Sequence, residues 1–162
     1  MPNQISQSAI ISKLADIEES VRGNKIVVGE DCRIDSFVKI KFAGGLGDVL
    51  IGSKCYINSG CVLYSGNGIQ MGNNVLIAAN TTFAPVNHNI RKEKPVSEQG
   101  FMKSKGGIIV GNDVWIGANC VILDGAYIPD GCVIGAASVV SGKLEPYCVY
   151  AGNPLELKKH RI

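Results

Sequence analysis

Aliphatic residues recur at every sixth position along most of this chain. The longest uninterrupted series is Val110, Ile116, Ile122, Ile128, Ile134 and Val140. The same step links three shorter series, which are Val28, Ile34 and Ile40; Ile51, Ile57 and Leu63; and Met71, Ile77 and Phe83. A step of six fits neither a helix, with its period of about 3.6 residues, nor a two-sided strand, with its period of about 2. It predicts a short strand followed by a corner, with three such units in each turn of a three-sided prism.

The fourth residue after each aliphatic position is small or apolar. These positions hold Cys32, Val38, Cys55, Cys61, Val75, Thr81, Val114, Cys120, Ala126, Cys132 and Ser138. We expect both sets to point into the prism, whose stacked turns rise by about 4.8 Å, the spacing of paired strands. Five of the six cysteines occupy this small inward position, so we predict reduced thiols that pack as small hydrophobic residues. Cys148 lies outside the pattern and has no predicted role.

Three segments interrupt the period: residues 41–50, residues 66–68 and, as the largest, residues 89–107. The last segment carries five cations and two carboxylates, a net charge of +3 in a chain whose total is +2. A loop of this length in a compact domain is usually functional or disordered. Two interpretations remain open: a solvated excursion, or an arm that covers a neighbouring site.

Before the first repeat, residues 8–22 have a helical pattern. Ile10, Leu14, Ile17 and Val21 fall on one face of such a helix. The helix is expected to cover the open edge of the first turn, which would otherwise invite aggregation. The predicted organisation is a helical cap over residues 1–27, a β-helix over 28–150 and a tail over 151–162.

Composition narrows the functional class. The net charge of +2 over 162 residues argues against bulk nucleic-acid binding and against a polybasic membrane anchor. The sequence has no run of 18 apolar residues and no signal peptide pattern, which predicts a cytoplasmic protein without membrane insertion.

Two stretches resemble a known family. The segment GIIVGNDVWIGANCVILDGAYIPDGCVIGAASVV and the following AGNPLELKKHR, at about residues 107–161, resemble the hexapeptide-repeat acyltransferases. The segment MGNNVLIAANTTFAPVNHNI, residues 71–90, is similar to their galactoside and maltose O-acetyltransferase branch and to the polysaccharide O-acetyltransferases. The resemblance implies an all-β left-handed parallel β-helix, a homotrimer, and acetyl-CoA in a groove between two prisms. The left hand rests on the resemblance alone.

The resemblance also implies a catalytic histidine just before the loop excursion, where this chain has His88. The only other histidine is His160. An imidazole is suited to accept the proton of a sugar hydroxyl near neutral pH while the oxygen attacks the thioester. The resulting oxyanion needs a donor, often a backbone N–H. Neither an acyl-enzyme nor a metal is expected.

Acceptor contacts are implied at Asn58 and Trp115. Asn58 has the alternative of capping a corner, and Trp115 has the alternatives of a trimer contact or a packing role. Gly66 stands where the related sugar acetyltransferases have an acidic contact to the acceptor, which puts their simple sugar acceptors in doubt for this chain.

Donor contacts are implied at five positions. Three of them, which meet the pantetheine arm through the backbone, are Ala118, Ala136 and Ser141. Lys143 lies one residue beyond the lysine of the family, and Lys159 matches a basic residue that meets the nucleotide phosphates. A solvated surface role is the alternative for both lysines.

The sequence therefore predicts an acetyl-CoA-dependent O-acetyltransferase that acts on a saccharide or nucleotide-sugar hydroxyl in surface polysaccharide biosynthesis. Alternatives on the same fold are N-acetylation of an amino sugar nucleotide, acetylation of a drug, and a non-catalytic scaffold. A hydrase with three histidine ligands per metal is disfavoured because the chain has two histidines.

Overall fold

Short strands build almost all the regular structure in residues 3–162, the part of the chain that the computed structural model describes. One 3-10 helix, Val96–Glu98, is added to them. In chain order the strands are β1 (Gln4–Ile5), β2 (Ile10–Ile11), β3 (Asp16–Ile17), β4 (Ile26–Val28), β5 (Arg33–Ile34), β6 (Lys39–Lys41), β7 (Val49–Ile51), β8 (Tyr56–Ile57), β9 (Val62–Tyr64), β10 (Ile69–Met71), β11 (Leu76–Ile77), β12 (Thr82–Ala84), β13 (Ile108–Val110), β14 (Trp115–Ile116), β15 (Val121–Leu123), β16 (Tyr127–Ile128), β17 (Val133–Ile134), β18 (Val139–Val140), β19 (Cys148–Ala151) and β20 (Glu156–His160).

Each strand from β1 to β15 pairs in parallel with the strand three places later in the chain. These pairings create three flat faces. Face A contains β1, β4, β7, β10, β13 and β16; face B contains β2, β5, β8, β11, β14, β17, β19 and β20; face C contains β3, β6, β9, β12, β15 and β18. One circuit of three strands is called a coil below, so that coil 1 is β1–β3 and coil 6 is β16–β18. The predicted prism of stacked coils is confirmed.

The interior follows the period of six. The aliphatic residues predicted to point inward are all buried, at 5% exposure or less. They stack in register between coils, as Ile57, Ile77, Ile116 and Ile134 do on face B. The small inward positions are also buried, and Phe83 is the largest of the fully buried side chains. The interior of the prism is thus a column of matched aliphatic layers.

All six cysteines are free and buried, as was predicted for the five in the small inward positions. Burial raises the pKa of the Cys61 and Cys120 thiols above the ordinary value. A hydrogen bond from the neighbouring Cys55 lowers the pKa of Cys32 to about 7, but Cys32 is only 1% exposed. Cys148, for which the repeat gave no role, is buried on β19 with its Sγ 3.2 Å from Nδ1 of His160.

The predicted N-terminal helix is wrong. Residues 4–17 form β1, β2 and β3, which pair in parallel with β4, β5 and β6. The supposed apolar face of the helix is largely exposed, since Ile10, Leu14 and Val21 are 65%, 60% and 95% accessible. The segment is a further coil of the prism, added where a cap was expected.

A period of six in this segment explains the difference. Ile5, Ile11 and Ile17 are six residues apart, and Ala9 and Ala15 follow Ile5 and Ile11 by four, as in the later coils. Ala9, Ile11, Ala15 and Ile17 pack against the core. Ile10, Leu14 and Ile17 fit a helical spacing over the same short window. The edge formed by β4, β5 and β6 decides between helix and strand, because it supplies backbone partners for parallel strands.

Replacing Ile11 with alanine should therefore destabilise the protein more than replacing Ile10. We expect a loss of about 1–2 kcal/mol in the free energy of unfolding for Ile11→Ala, below the range for a fully buried isoleucine. The matched control Ile10→Ala should change it by less than about 0.5 kcal/mol. Urea unfolding measures both, and the reverse order would favour the helix.

The C-terminal tail closes the last part of face B. β20 pairs with β19 in antiparallel orientation, with Val149 opposite Lys159. The Arg161 guanidinium then donates to Oδ2 of Asp113 at 2.9 Å and to the Gly131 carbonyl at 2.8 Å. The tail is therefore an ordered edge strand that is tied back to coils 5 and 6.

Candidate active site

The large interruption of the repeat leaves the prism at the edge between faces C and A, after β12. Its two limbs run antiparallel: Asn89 N–H donates to the Gly100 carbonyl at 3.0 Å, and Met102 N–H donates to the Asn87 carbonyl at 2.7 Å. His88 forms an isolated antiparallel bridge with Phe101. Residues 87–102 are called the hairpin below.

Side-chain amides hold the hairpin together. The Asn89 amide donates to the carbonyls of Gln99 and Phe101 at 3.2 and 2.9 Å. The Gln99 amide donates to the carbonyls of Arg91 and Lys94, both at 2.6 Å, and its oxygen accepts from Arg91 N–H at 2.8 Å. These bonds add to the backbone hydrogen bonds between the two limbs. Sequence reasoning missed both amides, because polar residues in a loop carry no positional signal.

His88 lies near the open end of this hairpin and is exposed. Its ring centroid is 4.8 Å from that of Phe101, with the rings tilted by 51°. The contact orients the imidazole while leaving it open to solvent. An exposed, oriented imidazole is geometrically able to exchange a proton with a ligand at this edge of the prism.

Gly66 occupies the same edge, one coil before the hairpin. It is buried with φ +43°, and a Cβ there would lie 2.9 Å from both Cγ and the carbonyl oxygen of Pro85. No acidic side chain fits at this position. The packing of this edge therefore excludes, at position 66, the acidic acceptor contact that the resemblance to the sugar acetyltransferases implies.

Ser141 and Lys143 also lie on the edge between faces C and A, two coils after the hairpin. Both are exposed, and Lys143 makes a parallel bridge to Tyr127. Lys143 lines a shallow cavity of about 260 Å³ together with Lys105 and Tyr127. The hairpin, Ser141 and Lys143 thus share one side of the prism.

Three other predicted residues lie on a different edge, between faces B and C. Asn58 follows β8, Ala118 follows β14 and Ala136 follows β17. The Asn58 amide donates to the Ile77 carbonyl at 2.8 Å, which is the corner-capping arrangement. The Ala118 carbonyl accepts from Ala137 N–H at 2.8 Å, so the backbone of this edge is largely occupied by the corners themselves.

Trp115 and Lys159 meet in a groove on face B. Trp115 is 53% exposed on β14, in register with Val133 and next to the end of the tail. The groove encloses about 350 Å³ and is lined by Trp115, Val133, Val149, Lys159, His160, Arg161 and Ile162. An apolar and aromatic floor beside a cationic wall suits a ligand with a flat ring and phosphates.

One chain does not bring all the predicted residues together. The hairpin with His88 leaves from the edge between faces C and A, which is opposite face B with Trp115 and Lys159. Asn58, Ala118 and Ala136 occupy a second edge. These three groups belong to different sides of the prism.

Family models and related proteins agree with this architecture. A family model described as bacterial transferase hexapeptide (six repeats) matches residues 107–142, and one described as hexapeptide repeat of succinyl-transferase matches residues 47–82. The galactoside O-acetyltransferase of Escherichia coli K12 is 33% identical over 147 residues, covering 88% of this chain and 68% of that protein. The chain belongs to the hexapeptide-repeat acyltransferases.

Solved structures of hexapeptide-repeat acyltransferases support the same fold. AntD, an N-acyltransferase from Bacillus cereus solved with dTDP-4-amino-4,6-dideoxyglucose and coenzyme A, is 28% identical with a TM-score of 0.80, covering 99% of this chain and 84% of that one. A hexapeptide transferase family protein from Anaplasma phagocytophilum has a TM-score of 0.76 at 15% identity, covering 99% of this chain and 80% of that one. With the three parallel faces, these similarities confirm the predicted all-β left-handed β-helix.

Other hexapeptide-repeat relatives are longer than this chain. The chloramphenicol acetyltransferase of Agrobacterium fabrum is 32% identical over 121 residues, covering 73% of this chain. The chain spans 54% of that relative and 27% of the chloramphenicol acetyltransferase of Klebsiella aerogenes.

Within residues 3–162 the structure has no helix long and apolar enough to cross a membrane. The same residues contain no group of three or more His, Cys, Asp or Glu side chains placed to hold a metal ion.

Proposed function

We propose that this acyltransferase moves an acetyl group from acetyl-CoA to a saccharide hydroxyl, with His88 as the general base. The observation that carries the proposal is an exposed imidazole, oriented by Phe101 on an ordered hairpin at the edge of the prism. A base needs access to the hydroxyl and a defined orientation, and this hairpin supplies both.

In this mechanism the acceptor hydroxyl gives its proton to the His88 imidazole as its oxygen attacks the thioester carbonyl. The tetrahedral intermediate collapses, the C–S bond breaks, and the imidazolium returns the proton to the coenzyme A thiolate. Direct transfer needs no enzyme nucleophile. The buried cysteines support this route because none of them is exposed to a thioester.

The groove on face B supports binding of the donor. Lys159 provides positive charge for phosphates, and Trp115 provides a flat apolar surface. Donor contacts at Ala118, Ala136, Ser141 and Lys143 and an acceptor contact at Asn58 are carried into the proposal from the family pattern. The coenzyme A bound by AntD is consistent with an acyl-CoA donor here.

A homotrimer is part of the proposal, because one chain separates the predicted groups. Face B presents Tyr56, Leu76 and Trp115 as an aligned exposed apolar stripe, each between 45% and 53% accessible. A neighbouring prism packed beside this face would bring a second chain's hairpin towards the groove. We place the reaction in the cytoplasm, where thiols remain reduced, and in the synthesis of a surface polysaccharide.

N-acetylation of an amino sugar nucleotide is the second candidate. Residues 89–107 carry Arg91, Lys92, Lys94, Lys103 and Lys105 against two carboxylates, and all five cations are exposed. This net charge of +3 suits an acceptor with phosphate groups. AntD acts as an N-acyltransferase and was solved with such a nucleotide-linked amino sugar.

A thiol-release assay with acetyl-CoA tests the proposal and separates the two candidates. We expect release of coenzyme A to rise at least about tenfold above background with a matching acceptor from a panel of sugars, amino sugars and nucleotide sugars. Mass spectrometry of the product then distinguishes an ester from an amide. Background rates with every member of the panel would contradict the proposed activity.

A further inference from the structure

The hairpin that carries His88 is fastened to the prism at its base by Asp124. This residue follows β15 in coil 5, and it is 4% exposed. Its carboxylate accepts three hydrogen bonds, from Lys105 N–H at 2.8 Å, Gly107 N–H at 2.9 Å and the Asn67 amide at 3.1 Å. A buried carboxylate with several N–H donors is a strong, directional anchor.

Asn67 connects the same point to the other limb of the excursion. Its N–H donates to the Pro85 carbonyl at 3.0 Å, where the chain leaves the prism, and its side chain donates to Asp124, where the chain returns. Asn67 belongs to the corner after coil 3 and Asp124 to the corner after coil 5. The two residues meet across the gap that opens because the corner of coil 4 is replaced by the excursion.

The return limb is fitted closely against this pair. Gly107 has φ +77°, and a Cβ there would lie 2.5 Å from the Gly68 carbonyl oxygen. Its own carbonyl accepts from Gly125 N–H at 2.7 Å. The base of the excursion is therefore closely packed around Gly107, whereas the hairpin beyond it is exposed and is held by its own amide bonds.

We propose that Asp124 and Asn67 are positioning residues for His88, because they fix both limbs of the excursion at its base and so set the direction in which the hairpin presents the imidazole. This inference rests on the proposed role of His88. Loss of the anchor would let the hairpin move as a body with its internal bonds intact. A displacement of about 1 Å at a catalytic group is enough to lower a rate by about 10²-fold.

Hydrogen exchange and kinetics of the Asp124→Asn variant test this inference. The amide keeps one oxygen but turns an NH₂ group towards the N–H donors of the base. We expect exchange at the Lys105, Gly107 and Gly125 amides to rise about tenfold or more. Exchange at the Asn89 and Met102 amides, inside the hairpin, should stay within about twofold of wild type. We also expect kcat to fall about tenfold or more while KM for acetyl-CoA changes less than about twofold.

Two further variants make the result decisive. Asn67→Ala removes one anchor bond and should change the same quantities in the same direction by less, which keeps the test open if Asp124→Asn fails to fold. Asp130→Asn is the matched control: the Asp130 carboxylate accepts from Asn112 N–H at 2.6 Å at another edge, away from the excursion. The Asp130→Asn variant should leave both the hydrogen exchange at the base and kcat within about twofold of wild type.

Unchanged exchange at the base, or normal kcat with a loosened base, would overturn the inference. A wild-type protein that transfers no acetyl group would instead overturn the proposed function, while the exchange data would still show whether Asp124 holds the excursion.

Discussion

Replacing His88 with alanine is expected to lower kcat for acetyl transfer by about 10²-fold or more. The variant has no group at this point of the hairpin to accept the hydroxyl proton as the oxygen attacks. KM for acetyl-CoA should change little, because proton transfer contributes in the transition state and the donor contacts lie elsewhere. Steady-state thiol release with the acceptor identified in the panel assay measures both constants.

Ile90→Ala is the matched control for this result. Ile90 is on the same limb of the hairpin, two residues after His88, and is 77% exposed. Its truncation should leave kcat within about twofold and the melting temperature unchanged. If a folded His88→Ala variant retained full turnover, the imidazole would not be the base, and the mechanism would need another proton acceptor.

Replacing Phe83 with alanine is expected to destabilise the fold by about 3–5 kcal/mol. Phe83 is fully buried in β12, between Leu63 of coil 3 and Ile122 of coil 5. Its removal leaves a cavity in a stack of matched layers, and neighbouring coils cannot close the cavity without losing their register. Urea unfolding measures the change in free energy.

Phe37→Ala provides the comparison for Phe83. Phe37 is 62% exposed at a corner of coil 2, so the same change should cost less than about 1 kcal/mol. Equal losses for the two variants would show that the interior of the prism relaxes around the missing ring.

Most of the prism could be predicted from the sequence, because the burial pattern is visible within each short segment. Each hexad buries one aliphatic and one small residue, so positions such as Ile116 and Cys120 reveal the interior without knowledge of their partners. Five of the six cysteines followed from the same pattern. The N-terminal coil was missed because Ile10, Leu14 and Ile17 also fit a helical spacing, and only the exposed edge of β4–β6 resolves the choice.

The candidate site was harder to predict from the sequence, because its residues do not recur at a fixed spacing. His88 was predicted from the family resemblance, which implies a histidine just before the long excursion, and the chain has one other histidine. The bracing of the hairpin by Asn89 and Gln99 had no sequence signal. Asp124 had a weak sequence signal, since it is an acidic residue beside a glycine at the end of a buried strand. Its partners Asn67 and Gly107, however, are 57 and 17 residues away in the sequence.

By itself, then, the sequence determined the three-sided repeat, the identity of the interior residues and the position of the excursion, since a burial pattern with a fixed period is written into consecutive residues. Only the tertiary structure decided that residues 4–17 add a coil, that Asp124 and Asn67 close the base of the hairpin, and that His88 and Trp115 lie on opposite sides of one chain. These features arise from pairing between coils, where residues far apart in sequence become neighbours through stacking.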